Sequence, residues 1–104
     1  KLKFYQDISC INYNKLNMYL KGYEDYNIVV KVDVEGLEFT VIKELFKSSF
    51  SKNINEIFYE VNINWCNPEK IKDYLKKKGF NYFNKFSNNQ NHYDLLATKI
   101  NFRN

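Results

Sequence analysis

Apolar residues change their period several times along the chain, and each change marks an element. Leu2 to Ile11 mixes Phe4, Tyr5, Ile8 and Ile11 with polar neighbours and reads as a short strand. Asn14 to Lys21 has helical spacing, with Leu16, Tyr19 and Leu20 on one face. Asn14 stands at the N-cap position and Gly22 ends the helix. Ile28 to Asp33 is β-branched almost throughout and predicts a strand buried on both faces. From Glu35 to Phe46 the period is helical again, and Leu37, Val41, Ile42, Leu45 and Phe46 form one apolar stripe.

A polar loop, Lys47 to Asn55, leads to a second strand at Ile57 to Val61. Asn67-Pro68 then opens a helix, the asparagine as N-cap and the proline in the first turn. Ile71, Tyr74 and Leu75 face its core side, and Gly79 supplies a left-handed stop. Phe80 to Phe86 and Tyr93 to Ile100 are strands, and the asparagine-rich loop between them predicts an antiparallel pair. Strands alternating with helices imply parallel crossovers, right-handed by general rule, and an α/β class.

Composition narrows the picture. With 104 residues the chain holds one domain, and an aromatic share of 18% excludes disorder as the default. A net charge of +4 raises nucleic acid as a partner. The lysines are scattered, however, and the cluster Lys76-Lys77-Lys78 complements a helix carboxyl end. Arg103 is the one arginine, so nucleic-acid binding stands as a third reading and no such partner is expected. Cys10 and Cys66 form neither a disulfide framework nor a metal motif, which fits a reduced, cytoplasmic protein. No apolar run approaches the roughly 20 residues that span a bilayer, and no signal-peptide pattern is present. The chain starts at Lys1 without a methionine, so its start reads as a cut.

Candidate chemistry gathers at one place. In open α/β sheets, ligands bind beyond the carboxyl ends of the strands. Asp33 ends the first buried strand and Glu60 nearly ends the second, with Glu35, Gly36 and Glu38 just past Asp33. Neighbouring strands would put these carboxylates on one rim. Each also has a structural reading. Asp33 can cap the next helix, Glu35 and Glu38 can complement that helix's positive end, and Glu60 can face outward. Asn62, Asn64 and Trp65 follow the second strand and fit a pocket wall, although a tryptophan there also fits the core. His92, the one histidine, falls in a polar loop and reads as solvated. Carboxylates suit a hard cation such as magnesium, but zinc-type spacings of Cys and His are absent and no metal is expected.

The run Lys31-Val32-Asp33-Val34-Glu35-Gly36-Leu37-Glu38, with Val41-Ile42-Lys43 after it, resembles the signature of the FkbM-type methyltransferases. Phe58-Tyr59-Glu60-Val61 is similar to that family's next strand, Pro68 to Phe80 to its following helix, and Asp94-Leu95-Leu96-Ala97 to its closing strand. Asn14 replaces a common aspartate, and Glu44 stands where a glycine often follows the helix. The resemblance implies a Rossmann-like methyltransferase half-domain: strands four to seven, a parallel sheet with a closing antiparallel strand pair.

It also implies transfer of a methyl group from S-adenosylmethionine to a hydroxyl of a small molecule or sugar. Asp33 would stand at the active-site rim, Glu35 and Glu60 would orient the acceptor or take its proton, and Asn62 and Trp65 would contact it. The family's glycine-rich cofactor loop and ribose-binding acid lie upstream of the signature. Gly22, Gly36 and Gly79 are isolated, so these 104 residues alone are not expected to bind the cofactor. The first strand of the half-domain would then have an open edge prone to association. A non-catalytic interaction domain that kept this half-fold is the alternative reading.

Overall fold

The computed structural model describes residues 12–34, 36–87 and 89–99. Four readings fall outside that set: the strand at Leu2–Ile11, and residues Cys10, Glu35 and Arg103. The elements run α1 (Tyr13–Leu20), β1 (Ile28–Val32), α2 (Glu38–Lys47), a 3-10 turn (Ser51–Asn53), β2 (Ile54–Asn62), α3 (Pro68–Lys77), β3 (Tyr82–Lys85) and β4 (His92–Thr98). They form a small α/β domain around a four-stranded mixed sheet of order β1-β2-β4-β3. β1 and β2 are parallel, and β4 is antiparallel to both β2 and β3.

Ile57, Tyr59 and Val61 of β2 point into one core together with Val32, Leu95 and Ala97. Leu16, Ile42, Leu45, Ile71 and Leu75 bring all three helices to that same core. The helices therefore cover one face of the sheet. On the other face the pairing aligns Lys31, Phe58, Leu96 and Asn84 in a row. Phe58 packs on Phe86 there, with ring centroids 5.8 Å apart.

This corrects the expectation for β1. Exposed Val29 and Lys31 alternate with half-buried Ile28 and Val30 and buried Val32, and Val29 is 62% exposed. A β-branched run looks the same whether one or two faces are covered, because branching at Cβ favours the pleated strand in either case. β1 also pairs with β2 alone among the described strands.

The helix ends differ from expectation for local reasons. Asn12 caps α1, its extended backbone letting its Oδ1 accept from Lys15 N–H at 2.9 Å, and Asn14 lies in the first turn. α2 starts at Glu38 because Gly36 adopts a φ of 82°, a left-handed conformation glycine takes without steric cost. The turn closes with Leu37 N–H donating to Val34 C=O at 3.0 Å, which leaves Leu37 exposed and outside the apolar stripe. α3 is as expected: Asn67 Oδ1 accepts from Glu69 N–H at 3.1 Å and Pro68 stands in the first turn.

At its far end, Phe80 N–H donates to Leu75 C=O and Gly79 N–H to Lys76 C=O, both at 3.0 Å. That pair of bonds is a Schellman stop, with Gly79 at φ 97°. Phe80 is used by the stop and buried, so β3 begins later, at Tyr82. β2 begins earlier than expected because Ile54 is buried and pairs with Ile28. α1 is tied to the end of α2 by Asn17, whose Oδ1 accepts from Ser48 Oγ at 2.8 Å and Ser49 N–H at 2.9 Å.

Candidate functional site

Parallel pairing of β1 with β2 determines what meets at the rim. Val32 lies beside Tyr59, so Asp33 and Glu60 each follow by one residue at the same end of the sheet. Asp33 is exposed and Glu60 is half-buried. The loop after β1 also touches the loop after β2: a methyl group placed on Gly36 would lie 3.8 Å from Trp65 Cβ. The two crossover loops thus form one wall, where Trp65 is 52% exposed.

Glu38 sits in an unusual setting for a carboxylate. It opens α2 and is only 3% exposed. Burial pushes its carboxyl above the ordinary value. Backbone N–H groups of Glu38 and Gly36 pull in the opposite direction, and the Glu60 and Asp33 carboxylates add a smaller upward push. Asp33, Glu38 and Glu60 therefore share one electrostatic neighbourhood. Glu38 was readable as a helix-end charge, and its position in the first turn of α2 agrees with that. Its burial was not readable from spacing.

Beyond Glu60 the rim continues onto β4. The antiparallel register sets Glu60 opposite Asp94 and Asn62 opposite His92. His92 Nε2 lies 2.9 Å from Glu60 Oε2. Glu60, Ser87, His92, Tyr93 and Asp94 line a shallow depression of about 250 Å³. His92 is the first residue of β4 and not a loop residue, which the polar sequence before it concealed. Two carboxylates directly opposite each other disfavour pairing, and the His92 imidazole stands against one of them.

The remaining site candidates fare differently. The Asn62 side chain takes part in the turn after β2, its Oδ1 accepting from Asn64 N–H at 3.0 Å. Asn62 C=O accepts from Trp65 N–H at 2.9 Å and Cys66 N–H at 3.1 Å, and this turn sets the place of Trp65. Glu35 lies outside the described residues. Cys66 is half-buried and free, and burial raises its thiol above the ordinary value. Among the described residues no group of His, Cys, Asp and Glu is placed to hold a metal ion.

The chain matches no family model, no curated protein and no solved structure. Its own residues therefore carry the functional reading. No helix among the described residues is long and apolar enough to cross a membrane.

Proposed function

We propose that this chain is the acceptor-side half of a Rossmann-like, S-adenosylmethionine-dependent methyltransferase acting on a hydroxyl of a small molecule or sugar. The observation that carries the reading is that Asp33 and Glu60 follow aligned residues at the carboxyl ends of two parallel strands. The antiparallel closing strand β4 and the residues quoted for the FkbM-type signature support the same reading.

The residues present do not fit the cofactor by themselves. Three isolated glycines, two of them closing helices, supply no glycine-rich turn between a strand and a helix. Cofactor binding is assigned to a further segment that pairs with the open edge of β1. The part played by this chain is to orient the acceptor and to receive its proton. Glu60, held by His92 at 2.9 Å, is the proton acceptor beside the depression. Asp33 anchors the hydroxyl from the adjacent strand end, and Trp65 closes the wall beside Gly36. Transfer requires acceptor and methyl group to be held in line, which is the role of such a rim.

In the completed protein, Glu60→Gln is expected to lower kcat by about 10²-fold or more, the range of a general base, with cofactor affinity unchanged. Asp33→Ala is expected to raise KM for the acceptor. Unchanged steady-state kinetics in both variants would remove these roles. The alternative, a non-catalytic interaction domain, is favoured by one observation: among the described residues β1 is paired along one edge alone, and Val29 and Phe86 are exposed.

A further inference from the structure

The end of the sheet opposite the acidic rim collects lysines from four segments. α2 and α3 both start at the rim and run back to this end, where their last turns bring Lys47, Lys76 and Lys77. Lys52 stands in the 3-10 turn that leads into β2. Lys78 caps α3, and Lys99 follows β4, its N–H donating to Asn55 C=O at 3.0 Å. Helix dipoles account for Lys47, Lys76 and Lys77, and Lys47 is also paired with Glu44 at 2.7 Å. They do not account for how Lys78 and Lys99 are held.

Phe46 and Phe80 meet edge to face, with ring centroids 5.7 Å apart. The Lys78 ammonium lies 5.8 Å from the Phe46 ring and 5.4 Å from Tyr74, and the Lys99 ammonium 5.5 Å from Phe80. One aromatic cluster thus fixes two ammonium groups side by side. Lys99 Nζ also donates to Lys52 C=O at 3.5 Å, which ties in the 3-10 turn. Lys52, Lys76, Lys77 and Lys78 are exposed. Nearby carboxylates lie off the patch. Alternation along β2 sends Glu56 to the other face from Ile57. Glu24 and Asp25 precede β1, whereas α3 lies beside β3 at the other edge, with Lys72 over Phe83.

We propose that this basic pole docks on the phosphate backbone of a nucleic-acid duplex. Ammonium groups spread over several segments match a row of phosphates, each met as a point charge. A single strand is held by stacking its bases on exposed rings. Here Phe80 is buried, and Phe46 and Tyr74 are half-buried beneath the ammonium groups. An anionic membrane is gripped through apolar side chains as well as charge, and the rings at this pole are covered in the same way. Contact through phosphates alone reads no sequence. The single arginine of the chain therefore weighs against base readout and not against this contact. The inference stands apart from methyl transfer, because the pole and the rim are at opposite ends of the sheet.

Fluorescence anisotropy of a labelled DNA duplex about two helical turns long, titrated with this chain, tests the proposal. Binding is expected in the non-specific range, about 10⁻⁶ to 10⁻⁴ M at low salt. Through the exposed lysines, affinity is expected to fall about 10²-fold between about 50 and 200 mM salt. K76E/K77E/K78E is expected to weaken binding at least about tenfold more than K31E/K70E/K85E. The second triple variant changes net charge equally, at exposed positions away from the pole. Lys52→Gln, outside α3, is expected to lower the salt slope by about one. Circular dichroism checks that each variant folds. No binding up to about 1 mM at low salt overturns the proposal. So does an equal loss in the two triple variants, or an unchanged slope in Lys52→Gln. Co-sedimentation with phosphatidylserine vesicles, at chain concentrations that leave the duplex free, overturns it in favour of a membrane.

Discussion

Glu38 has little contact with water, yet it opens a helix beside two further carboxylates. The folded chain binds its proton more tightly than the unfolded chain does, because burial penalises the charged form. The sign follows from linkage. Its contribution to stability is most favourable below the ordinary value of 4.5 and declines as pH rises through the folded-state value. Glu38→Gln keeps an oxygen acceptor for the backbone N–H groups and removes the charge. Urea unfolding is expected to give the glutamine variant a higher midpoint at pH 7 and an equal one at about pH 3. A lower midpoint at pH 7 would mean that the charge stabilises the fold. At the same scale, Glu60 and His92 meet through a register joining residues far apart in sequence, so spacing could suggest the carboxylate but not its partner. Trp65 was recognisable as a rim residue because it follows a strand end, and its contact with the Gly36 turn was not.

At the scale of elements, local signals and packing divide the work. α3 carries its own start and stop in Asn67, Pro68 and Gly79, and these were legible because cap chemistry is local. Asn67→Ala is expected to cost about 1 kcal/mol, measured by chemical unfolding. β2 depends on packing instead: Ile57 is fully buried, between β1 and β4 and beneath the helices. Ile57→Ala is expected to cost about 2–5 kcal/mol by the same measurement, and a cost below 1 kcal/mol would contradict a core centred on β2. β1 shows where pattern reading stops. Its residues specify a strand, but the covering of its second face depends on which helices lie there, and α1, α2 and α3 all lie on the other side. The start of α2 was misread for a related reason, since Leu37 is apolar and helical in spacing but belongs to the turn at Gly36.

Among the described residues, the helices pack on one face of the sheet, β1 is paired along one edge, and the acidic rim lies at the end of that strand. Strands of a parallel pair are ordinarily buried on both sides, whereas among the described residues the helices cover only one face of β1 and β2. The α/β class and the order of the elements followed from alternating periods. The extent of the open surface did not, because it depends on residues that are distant in sequence. The central claim is that the rim works with a cofactor-binding segment these 104 residues do not contain. Calorimetric titration of S-adenosylmethionine into this chain, and into the same chain extended upstream of Lys1 as its gene encodes, tests that claim most directly. The account predicts saturable binding by the extended chain and none by the 104 residues alone. Binding by neither, or equal binding by both, would contradict it.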